Sequence, residues 1–217
     1  MNPKFIHISE EHSKEDNIKE YINELPQGSV FYDLGANLGW FSLHAASKGL
    51  DVYAFEVDEN NFSGLKDNIE ANPYLSNIQA FNIGIADSKK IINLRTRSHA
   101  IGDHRKTLDL PIFSSDPTII SKIFTKQIEV NSLDNIIEEN NLPYPNHLKV
   151  DIDGSEYAFL LGSPKVLDNA ESMVIELFVD SEYFGKSIEI LNKHGFKEVK
   201  KYDIPSYPTL FNYVFNK

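Results

Sequence analysis

A chain of 217 residues, 41% apolar and 24% charged, has the size of one domain and the composition of a globular protein, which excludes a disordered chain and a fibrous repeat. It contains no cysteine, so a disulfide scaffold, a thiolate zinc site, an iron–sulfur cluster and a cysteine nucleophile are excluded together. Its 21 bases against 32 acids leave a net charge of −11, which repels a phosphate backbone over most of the surface and argues against a nucleic-acid partner.

The N-terminus, MNPKFIHISEEHSKED, lacks the apolar run of a signal peptide, and no uncharged stretch reaches the roughly 20 residues that span a bilayer. A soluble, cytoplasmic protein is the expectation. From Ser13 to Leu25 the residues Ile18, Tyr21, Ile22 and Leu25 recur at helical spacing, with Ser13 and Asp16 as an approximate capping box and Pro26 as a stop. A strand over Ser29–Leu34, a glycine-bearing turn, a helix from about Gly39 to Ser47 and a strand over Val52–Glu56 follow, which is a βαβ unit. The alternation continues with a helix over Asn60–Ala71 and a strand over Ile78–Ile85. Two shorter strands, Ile91–Arg95 and Gln127–Val130, flank a segment without clear periodicity, read as an insertion over about 95–127. A helix over Ser132–Glu139, a strand over His147–Ile152, a helical stretch from Ser155, a strand over Met173–Phe178 and a helix over Ser187–Lys193 come next. The last two strands, Lys197–Tyr202 and Leu210–Phe215, are joined by a linker too short for a helical crossover and should pair antiparallel. The expected fold is a single α/β domain over 1–217: a Rossmann-like, mostly parallel seven-stranded sheet with a C-terminal antiparallel hairpin and helices on both faces.

Ligands of such a sheet bind beyond the carboxyl ends of its strands. The first exit reads Asp33-Leu34-Gly35-Ala36-Asn37-Leu38-Gly39; its glycines let the backbone turn sharply and approach a ligand, at the positive end of the following helix. The second exit supplies Glu56, 23 residues after Asp33, where an acid suits ribose hydroxyls. Together they point to a nucleoside. A dinucleotide fingerprint needs G-x-G-x-x-G, but Asn37 and Trp40 occupy its second and third glycine positions, which disfavours NAD and FAD and with them an oxidoreductase.

The segments DLGANLGWFSL, FEVD and KVDIDGSEY, followed by the strand MVIEL, resemble the FkbM-type methyltransferases of class I, over about Val30 to Leu177. The pattern of that family is D-x-G-A-N-x-G, an acid after the second strand and D-x-[DE]-G-x-E after the fourth. The resemblance implies S-adenosylmethionine as cofactor, with Asp33, Gly35, Asn37 and Gly39 lining its methionine portion, Glu56 holding the ribose, and Asn82, Ile83 and Gly84 flanking the adenine. It also implies that Asp151 lies beside the methyl group, with Asp153 and Glu156 close by. Asp153 stands where the family often has Glu, so a direct role for that carboxylate would need a longer reach. Oxygen as acceptor atom, on a small molecule such as a sugar or a glycoconjugate, is likewise what the resemblance implies.

Read from the residues alone, the carboxylates of Asp151 and Asp153 share one side of a strand just before Gly154 lets it turn. They suit a cationic sulfonium or a substrate hydroxyl, and less readily Mg²⁺. Asp151 and Glu156 are candidates for a catalytic or substrate role, although Asp153 and Glu156 equally suit the N-terminus of the next helix. Glu176, at the exit of MVIEL, carries the same ambiguity and is a candidate for the substrate site. The seven histidines form no compact ligand pattern, so no metal site is expected. His99 and His104 fall in the insertion that should overhang the strand exits, which makes His99 a candidate base and His104 a candidate substrate contact. Between Lys89 and Lys106 six bases face one acid, Asp103. Arg95 and Arg97 there are candidate clamps for a carboxylate or phosphate, hence for an anionic acceptor, against the plainer reading of a solvated hairpin paired with an acidic surface. A module that binds S-adenosylmethionine without turnover is the rival function.

Overall fold

The computed structural model of the chain describes residues 2–8, 16–96, 100–102, 106–108, 124–204 and 207–217. After helix α1 (Asp16–Glu24) the chain runs β1 (Val30–Leu34), α2 (Trp40–Ser47), β2 (Asp51–Phe55), α3 (Glu59–Glu70) and β3 (Ile78–Phe81). A smaller sheet takes in the next four strands, β4 (Gly84–Ile85), β5 (Lys90–Thr96), β6 (Lys106–Leu108) and β7 (Phe124–Asn131). The main alternation resumes with α4 (Leu133–Asn140), β8 (His147–Val150), α5 (Glu156–Gly162), α6 (Pro164–Asn169), β9 (Ser172–Phe178), α7 (Phe184–Lys193), β10 (Lys197–Ile204) and β11 (Tyr207–Asn216).

Seven strands form one sheet in the order β10-β11-β9-β8-β1-β2-β3. β1, β2, β3, β8 and β9 pair in parallel, while β11 runs antiparallel to both β9 and β10. The sheet is buried on both faces, and successive side chains of its central strands feed different cores. Phe31, Val52 and Val174 join Ile18, Ile22 and Phe41 under α1 and α2. Their neighbours Tyr32 and Ile175 join Phe159, Leu167 and Leu191 under the helices of the opposite face.

The expected strand over Ile78–Ile85 is two strands in two sheets. β3 pairs with β2, whereas β4 pairs with β7 in the smaller sheet, ordered β4-β7-β5-β6. The break follows from Gly84, where a Cβ would stand 2.7 Å from Val130 and 2.9 Å from Val57, so only glycine lets the strand cross between the sheets. Ile91–Arg95 and Gln127–Val130 are indeed strands, and they pair with each other antiparallel as parts of β5 and β7. The helical stretch from Ser155 is also interrupted: Pro164 opens α6, and a proline without an N–H starts a helix more readily than it continues one.

An N-terminal strap lies along α3. Asn72 exchanges hydrogen bonds with the backbone of Lys4, and the Asn68 amide accepts from the N–H groups of Ile6 and His7 while donating to the carbonyls of His7 and Leu38. Asn61, on the same helix, accepts from the Gly102 N–H. These asparagines anchor both the strap and one end of the insertion beside the turn after β1. The start of the predicted N-terminal helix and most of the insertion lie outside the described residues.

Candidate active site

The turn after β1 holds three residues at positive φ: Gly35 (79°), Asn37 (50°) and Gly39 (81°). The glycines have a reason other than an open approach to a ligand. A Cβ on Gly35 would lie 1.8 Å from the carbonyl oxygen of Asp151, and one on Gly39 would lie 2.4 Å from a Leu65 methyl. Each therefore lets the turn press against the protein itself, Gly35 on the exit of β8 and Gly39 on α3.

Glu56 fastens the turn from the side. Its Oε2 accepts the Asn37 N–H and its Oε1 the Asp58 N–H, both at 2.8 Å, and the residue is buried. The side-chain oxygen of Asn37 is buried and has no hydrogen-bond partner, and an orphaned acceptor in a tight turn is costly unless a ligand donates to it. An ammonium or hydroxyl donor from a nucleoside-amino-acid cofactor would meet that need.

Asp33 stands elsewhere than expected. It is fully buried, with Oδ2 accepting from the Ser42 hydroxyl at 2.6 Å and Oδ1 3.3 Å from Lys149 Nζ, near enough for an ion pair though not aligned as a hydrogen bond. It is thus sealed behind the turn. At the third exit only part of the expected trio is open. Asn82 is exposed, and its Nδ2 donates to the carbonyls of Glu56 and Val57, tying the β2 and β3 exits together. Ile83 packs on the main core, and Gly84 is sealed by Val57 and Val130.

Asp151 follows β8, its side chain a quarter exposed and 3.4 Å from Lys149 Nζ. Strand register places Val150 opposite Ile175 and Glu176 opposite Asn212, so Asp151, Glu176 and Asn212 fall on one face at adjoining strand ends. Asp153 has φ 49° and Gly154 φ 97°, forming the turn into α5. Glu156, the first residue of α5, is buried; its Oε1 accepts the N–H groups of Ile152 and Gly154. Burial pushes this carboxyl up to about 7, Asp151 adds to the rise, and the backbone donors oppose it. Glu156 lines a cleft between the exits of β8 and β9 with Tyr157, Phe178, Ser181 and Tyr183. The two tyrosine rings stack at 4.8 Å and 17°.

Of the insertion's candidates, Arg97, His99 and His104 lie outside the described residues. Arg95 is exposed on β5 between buried Leu94 and Thr96, on the outer side of the small sheet. Part of the basic stretch is committed to nearby acids: Lys89 pairs with Glu139 and Glu129, and Lys90 with Asp87. Among the described residues no group of three or more His, Asp or Glu is arranged to hold a metal ion, and no helix is long and apolar enough to cross a membrane. His44 is held down to about 4 by burial, with Lys48 and Lys19 adding to the effect, and His147 is lowered by burial. Both serve packing.

Residues 33–198 match the model of the methyltransferase FkbM domain, a span that runs from the β1 turn to the first residues of β10. The chain belongs to the FkbM methyltransferase family. It is 24% identical over 164 residues to the hexuronic acid methyltransferase AglP of Haloferax volcanii, covering 76% of this chain and 62% of that protein. It is 26% identical over 187 residues to Methyltransferase 1 of Beauveria bassiana, covering 81% and 75%. Among solved structures the FkbM methyltransferase of Methylobacillus flagellatus superposes with a TM-score of 0.57 at 15% identity, covering 86% of this chain and 43% of that one. Aeropyrum pernix fibrillarin, in complex with natively bound S-adenosylmethionine, superposes at 0.53 and 13% identity, covering 93% and 74%. The chain thus spans about three fifths of the hexuronic acid methyltransferase and under half of the FkbM structure. S-adenosylmethionine is the cofactor of this class of methyltransferase.

Two features of the FkbM domain escape the sequence reading. Lys149 is a buried cation at the centre of the site, and its signal was a lone lysine in the strand HLKV, which is buried throughout. The stacked tyrosines were invisible as a pair, because Tyr157 and Tyr183 come from different elements and meet only across the cleft.

Proposed function

We propose that this chain transfers the methyl group of S-adenosylmethionine to a hydroxyl oxygen of a small acceptor, a sugar or glycoconjugate. The observation that carries this is Glu156: a buried carboxyl at the β8 exit, next to Asp151, that titrates near neutrality and lines a cleft walled by an aromatic pair. The cofactor supplies a methyl group already activated by its sulfonium. The protein's task is therefore to align and to accept a proton. Glu56 and Asn37 hold the nucleoside and amino-acid ends, Asp151 stands at the exit beside the methyl, and the stacked tyrosines offer a flat apolar wall suited to the C–H face of a sugar ring. Glu156, ionised above about pH 7, accepts the proton of the attacking hydroxyl. Its backbone donors hold Oε1, which fixes the carboxyl toward the cleft.

An acidic acceptor would bring its charge past Asp151 and Glu156, so it needs a cation from outside the cleft. The likeness to a hexuronic acid methyltransferase favours such an acceptor, and Arg95, exposed on β5, is the candidate we carry for that cation. The test is methyl transfer from labelled S-adenosylmethionine to a panel of hexoses, hexuronic acids and their nucleotide-linked forms. Glu156→Gln keeps an oxygen for the two backbone donors but loses basicity. It should bind cofactor as the parent does and lower kcat about a hundredfold, and the parent's kcat should rise through pH 7. A parent rate in the variant rejects Glu156 as the base, and cofactor binding without transfer to any acceptor favours the non-catalytic module.

A further inference from the structure

Lys149 is anomalous in its setting. Its strand is buried along its whole length and the lysine side chain is 1% exposed, a position that charged residues occupy only when paired. The pairing is unusually complete. Nζ donates to the Gly35 carbonyl at 2.8 Å, and lies 3.3 Å from Asp33 Oδ1 and 3.4 Å from Asp151 Oδ2, with the Phe41 ring 5.7 Å away. The two carboxylates are not equivalent. Asp33 is sealed inside, whereas Asp151 is a quarter exposed at the strand exit. The three charges thus form a series running outward: buried anion, buried cation, anion at the edge of the site. Seen from the site, such a series attracts a cation less than its outermost carboxylate would alone, because the lysine is nearer than the second aspartate.

We propose that Lys149 is a positioning residue that sets the charge presented to the methyl donor, holding Asp151 in place while damping its attraction for the sulfonium. This rests on the placement of the methyl group beside Asp151. The functional consequence is a limit on the preference for S-adenosylmethionine, which carries a net positive charge, over its neutral product S-adenosylhomocysteine. A lysine serving only the fold would leave that preference untouched, since both molecules share every group except the charged methyl.

Calorimetry with both molecules at pH 7.5 reads the preference as a ratio of Kd values. Lys149→Met should raise the preference for S-adenosylmethionine about tenfold, and Asp33→Asn with Lys149→Met, which removes the ion pair as a unit and leaves no unpaired buried charge, about threefold. The double variant decides if the single one does not fold. Asp151→Asn should lower the preference. If Asp151→Asn lowers it while the lysine variants keep the parent ratio, Lys149 does not set the charge and the proposal is overturned, with the placement of the methyl intact. If Asp151→Asn leaves the ratio unchanged, the placement itself fails and the proposal falls with it.

Discussion

Glu156→Gln should make the protein more stable while making it a worse enzyme. Burial raises the Glu156 carboxyl from about 4.5 to about 7, so the folded state holds this proton more tightly than the unfolded chain does. Below about pH 4.5 both states are protonated and the residue costs nothing. As pH climbs from 4.5 to 7 the unfolded chain releases the proton first, and stability falls across that window before levelling off. The difference of 2.5 between the two values, at about 1.4 kcal/mol per pH unit, makes the full cost about 3 kcal/mol. The amide of Gln avoids that cost and still offers an oxygen to the N–H groups of Ile152 and Gly154, while its NH₂ is turned to the cleft that Glu156 lines. Urea unfolding at pH 4 and pH 8 should therefore show the variant gaining about 2 to 3 kcal/mol over the parent at the higher pH relative to the lower, or on the order of 5 °C in Tm for a domain of this size. Stability gained together with activity lost is the mark of a strained functional group. Parallel pH–stability curves for parent and variant would refute the reasoning, because they would mean that the carboxyl titrates alike in both states.

Gly35→Ala should cost several kcal/mol or prevent folding, since its Cβ would overlap the Asp151 carbonyl, whereas Gly28→Ala, at the same φ of 79° with nothing within 4 Å, should cost about 1 to 2 kcal/mol; thermal melts of the two variants compare them directly. Glu56→Ala should weaken S-adenosylmethionine at least tenfold by calorimetry and also lower stability, because the N–H groups of Asn37 and Asp58 lose their acceptor. Glu56→Gln, which keeps an acceptor for one of them, should recover part of the stability and less of the affinity. Arg95→Gln should raise KM for a hexuronic acid acceptor several-fold and leave KM for the neutral hexose and the cofactor affinity unchanged; equal effects on acidic and neutral acceptors would remove Arg95 from the acceptor site.

The order of elements was legible in the sequence because each carries its own period. Val30–Leu34 and Ser172–Phe178 are short, largely apolar runs, and α3 is capped by Asp58, whose side chain accepts the N–H groups of Asn60 and Asn61. The antiparallel end was legible from the shortness of one linker. The family was legible for a different reason: DLGANLG and DIDGSE are local motifs whose spacing survives without any knowledge of contacts.

What depends on packing between distant segments was not. Whether Ile78–Ile85 is one strand or two depends on Val57 and Val130 closing around Gly84, and neither is near it in the chain. The turn glycines looked like openings for a ligand, yet Gly35 is required by a carbonyl 116 residues later. Asp33 and Asp151 both read as acids at strand exits. Only the parallel register of β1 against β8, which sets Asp33 opposite Lys149, seals the first behind a lysine and leaves the second at the edge of the site. Local sequence fixes which groups a strand end offers, because propensity, turns and alternation act over a few residues. Tertiary structure decides which of those groups meet water, which meet one another and therefore which keep their charge, because burial and ion pairing are properties of neighbours in space.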